Sequence, residues 1–142
     1  MAADQRADDL EPTKVTDRFW LHAERKRGKY PAHTERGGKW LIFVSSARVD
    51  EAWAKVKRAT EDGLLGGSAK VATAKPNPHA KNPNNHVICV YTYDSSDEAD
   101  AWRIREKLRE LGFTTRIPYK LDADTAVKYA NEGHKRISKF LG

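Results

Sequence analysis

The sequence has little cysteine, no long apolar run and no metal-ligand pattern. Cys89 is the one cysteine among 142 residues, which rules out an intramolecular disulfide and a cysteine-based zinc site. It sits in the apolar run HVICVYTY and reads as a small buried hydrophobe. No stretch approaches the ~20 apolar residues of a membrane span, so no membrane contact is expected. The start, MAADQRADDLEPTK, is acidic and lacks the apolar centre of a secretory signal. These absences suggest an intracellular, cytoplasmic protein. His22, His33, His79, His86 and His134 are scattered without ligand spacing, and no glycine-rich phosphate loop opens a helix. No metal or cofactor is expected.

What the chain does have is positive charge. Lys and Arg number 26 against 20 Asp and Glu, a formal net charge of +6. That balance favours anionic partners such as RNA, a nucleotide or a phosphoprotein. Charge alone does not separate this from a well-solvated surface.

Residues 1–16 read as a disordered tail and 17–142 as a single domain. DRFWLHAER reads as a strand, KRGKYPAHTERGG as a basic loop, and KWLIFVSS as a strand covered on both faces. RVDEAWAKVKRATEDG predicts a helix with Val49, Ala52, Trp53 and Val56 on one stripe. SAKVATAK alternates as a strand, PNPHAKNPNN is a loop, and HVICVYTY is a further strand. SSDEADAWRIREKLRELG is a second helix with Ser95 or Ser96 as N-cap, and Gly112 after its end. FTTRIPYK is a strand that Pro118 confines to an edge or an end, and a helical start and basic tail follow. The fold class is α+β: a mixed, mostly antiparallel sheet with helices on one face.

Three pieces carry a family resemblance. They are KWLIFVSSARVDEAWAKVKRATEDGLLGGSAKVATA, VICVYTYDSSDEADAWRIREKLRELGF and RIPYKLDADT, spanning about Lys39 to Thr125. The chain resembles the basophilic leukaemia-expressed protein family. The resemblance implies a curved sheet similar to that of translation initiation factor 4E, with a concave face left for a ligand. Family members are sometimes labelled phosphothreonine-lyase-domain proteins.

On the strand from Ser68 to Lys75, alternation puts Ala69, Val71 and Thr73 on one side. Ser68, Lys70, Ala72 and Ala74 face the other way, so Lys70 is expected on the concave face, aimed at a phosphate or carboxylate among small neighbours. Arg116, Tyr119 and Lys120 cluster at the last strand, where a guanidinium fork and a phenol hydroxyl suit phosphate oxygens. Trp40 is expected to face the concavity, and Arg105 to reach under the sheet edge. No convincing tryptophan pair stands on loops, so a methylated-cap sandwich is not expected.

The leading expectation is a binding module for an anionic, phosphorylated ligand. The lyase label offers a second reading, β-elimination from phosphothreonine, with Lys70 or Lys75 as base, His79 as acid and Arg116 on the phosphate. The compact Lys-x-His strand motif of authentic phosphothreonine lyases is absent. An adaptor with no small-molecule site is the third reading.

Overall fold

Two apolar patterns of different period build the protein. The computed structural model describes residues 10–76, 84–123 and 138–142. The strands are β1 (Trp20–Glu24) and β3 (Ser68–Ala72), which alternate in burial, with β2 (Gly38–Ser45), β4 (Asn85–Thr92), β5 (Pro118–Leu121) and β6 (Ser138–Leu141). Helical spacing gives α1 (Val49–Glu61) between β2 and β3, and α2 (Glu98–Glu110) between β4 and β5. Gly63 (φ 81°) and Gly112 (φ 108°) follow the helix ends in the left-handed region that glycine adopts without strain.

The six strands form one sheet in the order β1-β3-β4-β2-β5-β6. Every pairing among the described residues is antiparallel. Each helical connection crosses over one strand. β2 and β3 run the same way with β4 between them, and β4 and β5 with β2 between them. Same-direction strands therefore never become neighbours.

One face of the sheet carries the core. Leu21, Ala23, Trp40, Ile42, Val71, Ile88 and Val90 meet Val49, Trp53 and Val56 of α1 and Ala101, Ile104 and Leu108 of α2. Trp40 is fully buried, and its indole Nε1 donates to the Ala101 carbonyl at 2.9 Å. Trp102 and Tyr119 each meet it edge-on at 5.2 Å between ring centres. The Gly142 backbone lies so close to Trp102 that a Cβ there would come within 2.3 Å of the ring.

Arg105 is also fully buried, although it is charged. Its guanidinium donates to three carbonyls: Gly142 at 2.8 Å, Phe113 at 2.9 Å and Thr115 at 2.8 Å. It thereby ties α2 to the loop before β5 and to the residue after β6.

The packed chain begins before residue 17. A 3-10 turn at Pro12–Lys14 buries Pro12, and Val15 enters the core. Thr13 donates its N–H and its hydroxyl to Asp50 of α1, at 3.0 and 2.6 Å. Asp50 is thus engaged by Thr13, and Arg48 at the N-cap position makes no side-chain cap. The cap of α2 is Asp97, which accepts from the Asp100 N–H, one or two residues later than the serines expected for it. The strands are also shorter than their patterns suggested. β3 ends at Ala72, and Phe43 of β2 is 59% exposed, so β2 is not covered on both faces.

The segment between β1 and β2 is fastened by two carboxylates, buried Asp94 and half-buried Asp100. Tyr30 donates its hydroxyl to Asp100 at 2.5 Å. Asp94 accepts from the Ser96 hydroxyl at 2.6 Å, from Arg36 at 2.9 Å and from the Thr34 hydroxyl at 2.9 Å. The Ser96 hydrogen bond, then the Arg36 guanidinium, hold the Asp94 carboxyl well below the usual carboxylate range.

Two outcomes follow for stability. Arg105→Ala removes three hydrogen bonds of a buried guanidinium and is expected to cost roughly 3–5 kcal/mol in urea unfolding. Arg105→Lys is expected to recover less than half, since one ammonium cannot reach all three. A loss below about 1 kcal/mol would refute the clamp. Asp94 has its pKa depressed by folding, so its contribution is present above the unfolded value, near ~3.9, and is lost as pH falls further. Asp94→Asn is expected to be less stable at pH 7 and to show a flatter acid limb below about pH 4 than the unmodified protein.

Candidate ligand-binding face

The other face of the sheet is built from the alternate residues of the same strands. Trp20, His22 and Glu24 come from β1, and Ser68, Lys70 and Ala72 from β3. Val87, Cys89 and Tyr91 come from β4, Lys39, Leu41 and Phe43 from β2, and Lys120 from β5. Its middle is closed: Lys39, Leu41 and Cys89 are buried, and burial pushes the Cys89 thiol up to about 11. Its β1–β3 side is more open. His22 and Glu24 are exposed, and Trp20, Lys70 and Ala72 are half-buried.

Lys70 is the centre of that open side. Its ammonium lies 3.9 Å from the centre of the Trp20 ring, a close cation–π contact. Ser68 and Ala72, two residues away on the same strand, are small and leave the space beside it clear. His22 stands directly opposite Lys70 in the β1–β3 register, and Cys89 opposite it on β4. Lys75 lies beyond the end of β3, with its ammonium 4.4 Å from the Phe19 ring. A second cationic pair crosses β2 and β5, where Lys39 faces Lys120. There the Asp122 carboxylate takes Lys39 at 2.7 Å and the His33 ring at 2.8 Å.

Only part of the expected cluster assembles. Lys70 stands on the expected face, and Lys120 lies on it near Lys39. Trp40, by contrast, points into the core, because even-numbered residues of β2 face the helices. Tyr119 is buried on that same side and hydrogen-bonds the Thr92 hydroxyl. Arg105 has its guanidinium committed to three carbonyls. None of these three reaches the second face. Arg116 is exposed but elsewhere, lining a separate cavity with Ile42 and Phe43. His79 lies outside the described residues.

The glycines before β3 have a packing role. A Cβ on Gly66 would come 2.1 Å from the Tyr91 carbonyl oxygen, so that backbone approach demands glycine without any ligand. Trp20 and His22 were missed as site residues in the sequence. Their signal was the alternation of β1, but only the pairing of β1 with β3 puts them beside Lys70.

Comparison with known proteins follows this geometry. Schistosome eIF4E, complexed with m7GpppA and 4E-BP, matches with a TM-score of 0.65 at 16% identity, covering 94% of this chain and 75% of that one. Ascaris suum eIF4E-3 with m7G cap matches with a TM-score of 0.55 at 17% identity, covering 86% of this chain and 67% of that one. C. elegans eIF4E-3, in complex with the 4E-binding protein Mextli and a cap analog, gives 0.52 at 18%, covering 75% of this chain and 57% of that one. At such identities the likeness establishes the fold: an α+β, 4E-like sheet backed by two helices. The family pattern described as basophilic leukemia-expressed protein Bles03 covers residues 32–128, and the chain belongs to that family.

Proposed function

We propose that the β1–β3 side of the second face binds a phosphorylated ligand carrying a flat ring, of the nucleotide or RNA class. The observation that carries this reading is the Lys70 ammonium poised over Trp20 among small residues. Phosphate oxygens draw the ammonium, and the indole offers a stacking surface to a base. His22 adds a second donor from the opposite strand. The cap nucleotides in the similar eIF4E structures make a nucleotide ligand reasonable on this fold. A two-tryptophan sandwich finds no support among the described residues, since Trp40 and Trp53 are buried and Trp102 packs on the helix side. One aromatic platform suits an ordinary base.

A second reading is favoured by one observation, the His22–Lys70 pairing. β-Elimination from phosphothreonine takes the Cα proton, breaks the Cβ–O bond and releases phosphate, so it needs a base and an acid side by side. Lys70 and His22 are such a pair. An ammonium held over an indole has no lone pair with which to take a proton, however, so binding ranks first.

For binding, Lys70→Met is expected to weaken an oligoribonucleotide by about five- to tenfold and to lower the salt slope by about one. Trp20→Leu is expected to weaken it by a similar factor and to remove the ligand-induced change in tryptophan fluorescence. Negligible retention of RNA and nucleotides at low salt would sink the reading. For elimination, incubation with a phosphothreonine peptide is expected to leave its mass unchanged. Loss of phosphoric acid that depends on both His22 and Lys70 would instead establish the enzyme.

A further inference from the structure

The second face leaves Arg116 unexplained, and the edge of β2 accounts for it. β4 pairs with β2 along its full length, Gly38 to Ser45. β5 pairs only with Gly38, Lys39 and Trp40. Among the described residues, β2 from Leu41 to Ser45 has a strand on one side and none on the other. The chain that would continue β5 has been drawn away: the Ile117 N–H and C=O both pair with Gly142, at 3.2 and 2.9 Å, and Arg105 holds the Phe113 and Thr115 carbonyls. β2 and the segment 113–117 therefore splay apart.

The gap is a cavity of about 400 Å³. Ile42, Val44, Leu111, Phe113 and Ile117 line it, with Phe43 at its exposed mouth. Arg48, Lys55 and Arg116 stand at its rim against the lone carboxylate of Glu51, and all four are exposed. Lys70 does not line it. An unpaired strand edge invites pairing by another chain, and soluble proteins usually guard such edges. This edge opens onto an apolar hollow ringed by cations.

We infer that the β2 edge is a docking site for an extended acidic peptide of a partner protein, added to the sheet as a strand along Leu41–Ser45. Main-chain hydrogen bonds to β2 supply the pairing, and alternate side chains supply selectivity. Five residues of β2 accommodate a strand about 16 Å long at ~3.3 Å per residue. Apolar side chains on one side of that strand enter the hollow over Leu111 and Phe113. Carboxylates on the other side or at its ends meet Arg48, Lys55 and Arg116.

The test uses the full chain and three synthetic heptapeptides. One alternates valine with glutamate, one alternates valine with lysine, and one is the glutamate peptide with N-methylated amides on one edge. Titration followed by fluorescence polarisation is expected to show the glutamate peptide binding at least tenfold more tightly than the lysine peptide. N-methylation is expected to abolish binding, and amide exchange is expected to slow only at Leu41–Ser45 of β2. The double variant Arg48→Glu, Arg116→Glu changes exposed side chains, so its urea midpoint serves as the folding control. It is expected to reverse the preference between the two charged peptides. Equal binding of the N-methylated peptide, unchanged exchange at Leu41–Ser45, or no binding at millimolar peptide would overturn the inference. So would self-association of the chain in sedimentation that the double variant abolishes, because the edge would then serve a second copy.

Discussion

The grip of Arg105 on three carbonyls organises the molecule around it. A fully buried guanidinium is costly to desolvate, and it is tolerated where its donors are used. Here Nε and both terminal nitrogens are used, on Gly142, Phe113 and Thr115. The bonds seat the loop after α2, which fixes where β5 starts. They also hold Gly142 beside Ile117 and against Trp102, where only a residue without a side chain fits. Trp40, wedged among Trp102, Tyr119 and the Ala101 carbonyl, extends the same cluster to the centre of the sheet. Among the described residues, the same bonds that close the core on this side hold the chain before β5 away from β2, which beyond Trp40 pairs with β4 alone. Stability and an open edge share one cause.

The fold was largely legible because most of its elements obey one period. The α1 stripe Val49/Ala52/Trp53/Val56 is buried as its spacing requires; of the α2 stripe that the same spacing predicts, Ala101, Ile104 and Leu108 are buried and Leu111 is half-buried. Some of what could not be read depends on partners far along the chain, and some on side-chain choices between neighbours. The role of Pro12–Val15 rests on Asp50, about forty residues on. A helix cap at Asp97 and one at Ser96 look alike in sequence, and only the Asp94 hydrogen bonds that engage Ser96 separate them. The antiparallel order follows from which strand each helix crosses, which local pattern does not encode.

The candidate site was legible in proportion to how local its evidence was. Lys70 was placed by alternation within its own strand, where one parity choice decides the face. Trp40 failed on the same kind of choice, because β2 is apolar on both parities through Trp40, Leu41 and Ile42. Tyr119 and Arg105 looked like ligand groups because they are polar, yet burial turned both inward, to Thr92 and to three carbonyls. His22 and Trp20 were invisible as partners of Lys70 because strand register sets that adjacency, and the two segments lie some fifty residues apart.

The Lys70–Trp20 contact also constrains what a ligand must bring. A cation–π pair at a partly exposed site contributes about 0.5–1 kcal/mol, and an anion that draws Lys70 away gives this up. A hydrogen bond to a charged group contributes about 1.5–3 kcal/mol, so a phosphate alone gains little once that loss and its own desolvation are counted. Moving the ammonium uncovers the indole face. A ligand with a base can cover it again, and stacking of this kind adds about 1–3 kcal/mol. On the proposed reading the lysine would act as a placeholder on Trp20: inorganic phosphate would displace it at a net cost in buried ring surface, whereas a phosphate joined to a planar ring would replace both halves of the contact. That proposal therefore calls for the two groups together, a nucleotide-like ligand and not a phosphorylated side chain without a ring.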